Sequence, residues 1–454
     1  MNQVPPRPLA TRGAAFIDGF GVERRLRGVC VGGWLNMENF VTGYAANESL
    51  MRAELRRVLG TERYERFFDR LLEAFYGEKD AEFLEANGFD LVRIPVNYHH
   101  LEHDDKPFEI IEEGFRHLDR AIEVGGRHGI YSIIDLHALP GSQNQHWHSD
   151  NATHLAAFWD QRSFQERAIN IWRAIATRYK GNPWVAGYNL MNEPADATGK
   201  KVGPVYREMF DAVRAIDPDH IVFLDGNTYS TDFSMFDDEP WPNTVYSLHD
   251  YVEASLGRGG PYPGKGKALE KFLTRSEYAR RSGTPILVGE FAPIYVNDEA
   301  VDVTRRQILD DQLEIYRDHG ASWTSWMYKD LGRQGLVNVT ADSPYRQRVG
   351  AFVAKKERLG IDQWGSDGWG LREITEPVQE LVRTEAPHFD PYPWGRFDWV
   401  RTLLLNITLA QPLAVEYAEL FRGLSDAELD ALADSFAFEN CEVRESLRAQ
   451  LAAG

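Results

Sequence analysis

The stretch VAGYNLMNEP, residues 185–194, is a short, mostly apolar run that closes on Asn192, Glu193 and Pro194. PILVGEF, residues 285–291, does the same and closes on Glu290. Apolar runs of this length, with no alternation, read as strands buried on both faces of a parallel sheet. A carboxylate at the end of such a strand sits where an unpaired charge is expensive, so it calls for a partner or a use.

Working outward, six further runs have the same character: LRGVCVGGW (26–34), FDLVRIPV (89–96), IYSIIDL (130–136), HIVFLDG (220–226), TVYSLH (244–249) and ASWTSWMY (321–328). Amphipathic stretches separate most of them, among them 115–129 and 164–181. Eight strands alternating with helices between residues 26 and 328 predict a closed (β/α)8 TIM barrel, the α/β class, with a helical insertion at about 41–88. The barrel is expected to fill residues 1–350. Residues 331–395 are rich in Gly, Trp and Pro, and 396–423 and 425–452 read as two long helices. The last of these opens on a capping box, Ser425 with Glu428. No strand signal is visible in this tail, so 351–454 is expected to be a mainly helical C-terminal extension packed on the barrel, partly completing the eighth helix.

In such a barrel the chemistry lies at the C-terminal ends of the strands. The first candidate strand ends in Gly32-Gly33-Trp34, with Glu38 just beyond it, and Arg93 lies within the second. The third ends in Asp135-Leu136-His137, the fourth in Asn192-Glu193, the sixth in His249-Asp250-Tyr251, the seventh in Glu290, and Trp326 is near the end of the eighth. Singly, each has a structural reading. Arg93 can pair with an acid in the barrel floor, Asp135 and His137 can bond each other, His249 can be a satisfied structural histidine, and Asn192-Glu193 can cap a helix. Together they deliver polar and aromatic groups to one rim, which structural needs alone do not explain. Two carboxylates converging from strands four and seven suit glycosidic cleavage. One protonates the leaving oxygen and the other attacks the anomeric carbon, with retention expected at a separation of about 5–5.5 Å and inversion at about 6.5–9.5 Å. Arg93 beside Glu290 is expected to hold that carboxylate ionised, and a poorly solvated Glu193 to keep its proton.

Composition sets limits. The formal net charge of -19 argues against nucleic acid and anionic membranes as partners. The two cysteines, Cys30 and Cys441, exclude a disulfide scaffold. The N-terminal stretch has no apolar run of signal-peptide length, and no run approaches transmembrane length, so the expected location is cytoplasmic. Twelve Trp fit a sugar site and an ordinary large core equally. His99, His100 and His103 cluster, as do His146 and His148, with no carboxylate or Cys at a diagnostic spacing. Retaining hydrolysis needs no metal, and none is expected, nor any cofactor. His146 and His148 are expected to contact substrate or to be exposed. Oligomeric state is left open.

Leu190-Met191-Asn192-Glu193-Pro194 resembles the acid/base motif of glycoside hydrolase family 5, the cellulase-like family, and Val288-Gly289-Glu290-Phe291 resembles its nucleophile motif. The ordered set spans residues 20–330. The resemblance implies Glu193 as acid/base, Glu290 as nucleophile, and Asn192 on the sugar 2-OH. It implies Arg93 and Tyr251 on Glu290, His249 beside Glu193, and His137 and Trp326 around the cleaved sugar. Gly32-Gly33-Trp34-Leu35 with Glu38, and the run from Asp135 to Asn144, are similar to the exo-β-1,3-glucanases. That implies Glu38 on the terminal sugar, a loop at 138–144 that closes a pocket, and an exo-acting enzyme on β-glucosides or short β-glucan oligosaccharides. Phe291-Ala292-Pro293 departs from that group, so mechanism carries over further than sugar identity. Alternatives are the same chemistry on β-mannosides or disaccharide glycosides, or a barrel that binds sugar without cutting it.

Overall fold

The computed structural model describes residues 3–257, 260–361, 371–389 and 398–454. Its centre is a closed barrel of eight parallel strands: β1 (Arg27–Cys30), β2 (Leu91–Asn97), β3 (Tyr131–Ala138), β4 (Val185–Asn189), β5 (Ile221–Asp225), β6 (Thr244–His249), β7 (Ile286–Glu290) and β8 (Ser322–Ser325). Each strand pairs with its chain neighbours, and β8 closes onto β1 through Trp323–Arg27 and Ser325–Val29. All eight predicted strands are present, because each is buried along most of its length and supplies the apolar run that a parallel barrel requires.

Side chains pointing into the barrel recur every second residue. Leu91, Ile133, Phe223, Val245 and Leu287 form an apolar floor, closed from below by Leu9 and Phe16 of an N-terminal hairpin. Two residues further up the strands the inward positions turn polar: Arg93, Asp135, Asp225 and Ser247, and then His137 and His249 one step above. The polar layer therefore rests on a packed apolar base at the strand ends.

The first βα connection carries helices Asn39–Thr42, Glu48–Leu59, Thr61–Phe75 and Glu78–Ala86. The tail packs on this insertion. Arg63, Arg66 and Arg70 on helix Thr61–Phe75 face Asp426, Asp430 and Asp434 on helix Asp426–Asp434, at 2.8, 2.5 and 2.6 Å. These exposed pairs add little stability. A buried group does more: the Lys329 ammonium donates to Asp80 Oδ1 (2.8 Å), the Phe75 carbonyl (2.6 Å) and the Phe436 carbonyl (2.8 Å). One cation thus ties the end of the barrel, the insertion and the tail together.

Several expectations need correction. The eighth strand stops at Ser325, and Trp326 lies past it. Lys329–Asp330 instead starts a separate three-stranded sheet with Val337–Val339 and Cys441–Val443. The tail therefore does contain a strand, three residues long and too short to stand out in sequence. It divides the helix expected at 425–452 into Asp426–Asp434, which keeps the Ser425–Glu428 capping box, and Glu445–Ala453. The helix expected at 396–423 becomes Asp398–Thr402, a widened turn at Leu403–Thr408, and Ala410–Glu419; residues 396 and 397 lie outside the described residues. The widening precedes Pro412, which has no N–H to donate back to Thr408. A division at 350/351 falls inside helix Pro344–Leu359. The last helix lies beside helix Glu299–Asp318, with Gln450 on the Arg306 carbonyl and Asp310, while Arg27 of β1 donates to the Gly454 carbonyl.

Candidate active site

The polar layer is organised around Arg93. Its guanidinium donates to Glu290 Oε1 (2.7 Å), Asn192 Oδ1 (2.7 Å) and Asn189 Oδ1 (3.1 Å), and lies 3.1 Å from Asp135 Oδ2. A buried arginine persists only when its donors are taken up this fully. Asp135 also pairs with His137 Nδ1 at 2.6 Å, which makes Nε2 of that ring the acceptor for Asn192 Nδ2 (3.1 Å). Glu38 Oε1 is 3.5 Å from the same Nε2.

Glu290 closes β7. The Tyr251 hydroxyl donates to its Oε2 at 2.9 Å, so each carboxylate oxygen has a donor. Glu193 stands opposite, just beyond β4, with φ of 45°, in a backbone region that a glutamate rarely adopts. Two bonds hold the turn: its N–H donates to Asp225 Oδ2 (3.1 Å), and its carbonyl accepts from Asn144 Nδ2 (3.0 Å). Its Oε1 lies 2.6 Å from His249 Nδ1 and its Oε2 lies 3.3 Å from His148 Nε2. Side-chain atoms of Glu193, His249 and Glu290 all lie within 4.8 Å of one another.

Burial pushes both carboxyls up, Glu193 to about 8, helped by the negative charge of Asp225, and Glu290 to about 7. At Glu290, His249 and the Arg93 guanidinium oppose the rise. Burial is the larger effect at both carboxyls, and at Glu290 the Arg93 guanidinium offsets part of it.

A cavity of about 390 Å³ opens over these groups, at the small end of ligand pockets. Glu38, His137, Glu193, His249, Tyr251, Glu290 and Trp326 line it. Trp326 stacks on His137, with ring centres 5.6 Å apart and planes 11° off parallel. Gly32 makes that position available, since a Cβ there would lie 2.6 Å from the indole. Arg93, Asn192 and Asn144 lie beneath the lining and brace it. His146 and His148 are at the wall, so of the histidine clusters only this pair reaches the cavity; His99, His100 and His103 line a separate hollow with Asp150. Among the described residues, the ligand-type side chains that converge closely enough for a metal ion are Glu193, His249 and Glu290.

Several contributors were not singled out in the sequence, Asp225, Tyr229, Arg275 and Arg401 among them. Asp225 ends β5, and the same rule that picked out Glu290 applies to it. Tyr229, Arg275 and Arg401 come from a loop, a helix and the tail, where no periodicity marks them.

A closed (β/α)8 barrel with two facing carboxyls, one just beyond strand four and one at the end of strand seven, suits a glycoside hydrolase. The model of the Cellulase (glycosyl hydrolase family 5) family matches residues 73–332, and the chain belongs to that family. It is a retaining β-glycosidase. A β-xylosidase of Phanerodontia chrysosporium is 43% identical over 459 residues, covering 97% of this chain and 96% of the relative. A probable glucan 1,3-β-glucosidase A of Neosartorya fischeri is 26% identical, covering 76% of this chain and 93% of that protein. In structure, the native β-glucanase of Saccharophagus degradans superimposes with a TM-score of 0.51 at 19% identity, over 77% of this chain and 92% of its own. No helix among the described residues is long and apolar enough to cross a membrane.

Proposed function

We propose that the protein removes single terminal sugars from short β-glycosides by double displacement, with Glu290 as nucleophile and Glu193 as acid/base. The supporting observation is the facing pair itself: oxygens of Glu193 and Glu290 lie within 4.8 Å of each other across a pocket, close enough to act on one glycosidic bond. Their surroundings differ in the way the two roles require. Glu290 receives hydrogen bonds from Arg93 and Tyr251 that favour the carboxylate. Glu193 has burial and Asp225 against ionisation.

The steps follow from that division. Glu290 attacks the anomeric carbon as Glu193 gives its proton to the leaving oxygen. With the glycosyl ester formed, the negative charge on Glu290 is gone, and Glu193, now ionised, accepts a proton from the water that attacks the ester. Asn192 is buried beneath the cavity lining, and its second amide N–H, beyond the bond to His137, is the group proposed to meet a sugar 2-OH. Trp326 offers the sugar an aromatic face.

The small cavity supports exo action. Its wall includes Trp147 and Tyr229 from barrel loops and Arg401 from the tail. The extension would therefore complete the pocket for the glycosyl or aglycone group, and the match to the β-xylosidase runs through it. That relationship favours β-xylosides as a second reading beside β-glucosides. Turnover of nitrophenyl β-glucoside, β-xyloside and β-mannoside, with the anomer of the first product followed by NMR, tests the proposal. β-Product from the glucoside or xyloside supports it. α-Product, or turnover restricted to internal bonds of long glucans, overturns it.

A further inference from the structure

His148 lies in the loop after β3, and Asn144 distinguishes its two ring nitrogens. Asn144 Oδ1 accepts from the His146 backbone N–H at 3.0 Å, which identifies the other end of the amide as the donor. That end reaches the Glu193 carbonyl (3.0 Å) and His148 Nε2 (2.8 Å). A nitrogen that accepts from an amide carries no proton, so His148 is neutral and protonated at Nδ1. No described residue hydrogen-bonds to that Nδ1, and the ring lines the cavity. The loop is anchored independently, since Asn36 donates to the His148 carbonyl and Asp150 accepts from Asn47, Ser49 and Asn97.

Glu193 Oε2 is 3.3 Å from the same Nε2. At that distance an ionised Oε2 would repel the unprotonated nitrogen. A protonated Oε2 can instead share the nitrogen with Asn144, as the longer and weaker of its two donors. We propose that His148 is a positioning residue that fixes the acid proton of Glu193 on Oε2, facing the leaving group. This rests on the assignment of Glu193 as acid/base. In the first step the proton leaves Oε2 for the glycosidic oxygen as the C–O bond breaks and its electron pair moves to that oxygen. In the second, attacking water returns a proton to Oε2, and Nε2 accepts again. His249 is the counterpart on Oε1.

The groups facing Glu193 are His249 and Tyr251 from the end of β6, Glu290 from β7 and Asp225 from β5. Arg93 and Asp135 lie below, Arg275 comes from helix Lys265–Arg275, and His148 completes the set. His148 is itself faced by His137 and His146. Burial and these imidazoles hold it well below the ordinary histidine value, in agreement with a neutral ring.

The test compares His148→Ala, His148→Gln and Glu193→Ala with the parent on aryl glycosides of graded leaving-group acidity, at several pH values. The glutamine carries an oxygen that can accept from Oε2, so it separates loss of the acceptor from loss of the loop. In His148→Ala the alkaline limb of kcat/KM is expected to move down by about one pH unit. Poor leaving groups should slow by about tenfold and dinitrophenyl leaving groups hardly at all, because only the former need the proton. His148→Gln should recover part of both effects. A uniform rise in KM across leaving groups, or an unmoved alkaline limb, overturns the proposal while Glu193→Ala still shows the leaving-group dependence of an acid. If Glu193→Ala shows none, the acid assignment falls and this proposal falls with it.

Discussion

Tyr251→Phe removes one hydroxyl from the site and keeps the ring. That hydroxyl donates to Glu290 Oε2 at 2.9 Å, while Arg93 serves Oε1. A hydrogen bond to a charged group contributes about 1.5–3 kcal/mol, and one pKa unit corresponds to about 1.36 kcal/mol. The bond favours the ionised form, so losing it raises the Glu290 pKa, by about one to two units on those figures. In the parent, Glu290 titrates at about 7 and Glu193 at about 8, and the singly protonated pair is the active form. The acid limb of kcat/KM, which reports the free enzyme, should therefore move towards pH 8–9, about one to two units. It then meets the alkaline limb, so the bell should narrow and lose height. Well below the acid limb the rate should fall by about ten- to a hundredfold. The assay is the pH profile of nitrophenyl glycoside hydrolysis, with the thermal midpoint as a check on folding. An acid limb that stays in place, or moves down, in a folded variant refutes the reasoning.

Three other outcomes follow from the structure. Lys329→Met leaves Asp80 and the carbonyls of Phe75 and Phe436 without their shared donor; breaking a buried pair of this kind costs about 3–5 kcal/mol, so the thermal midpoint should fall by several degrees, and adding Asp80→Asn should recover part of the loss. Gly32→Ala places a methyl 2.6 Å from the Trp326 ring, and overpacking of this size costs about 1–3 kcal/mol; kcat/KM should drop by about tenfold or more while the fold survives, and an unchanged kcat/KM would contradict the role given to the Trp326 position. Dialysis against chelator should leave the rate unchanged, whereas a loss restored by a divalent ion would recast Glu193, His249 and Glu290 as metal ligands.

The barrel was legible because buried parallel strands carry an unbroken apolar signal, and each strand end could then be searched for chemistry. The residues drawn from the strand ends, from Arg93 to Trp326, come together around one cavity for that reason. The tail was less legible because its structure depends on partners. Cys441–Val443 becomes a strand only because Val337–Val339 is there to pair with it. The four-residue spacing of Asp426, Asp430 and Asp434 does not reveal that Arg63, Arg66 and Arg70 lie opposite. Arg401 reaches the site across some two hundred positions of chain from Glu193, a proximity that no local pattern encodes. The electrostatic balance at Glu290 is not legible for a related reason: the sequence places a cation beside it but does not reveal the complete burial that opposes that cation.

The most direct measurement is azide rescue of Glu290→Gly and Glu193→Ala on the same activated β-glycoside. With Glu290 as nucleophile, azide takes its place in the glycine variant and yields the α-glycosyl azide. The Glu193→Ala variant still forms the glycosyl enzyme and yields the β-azide. Full activity in Glu290→Gly without azide, or the α-azide from Glu193→Ala, would contradict the assignment.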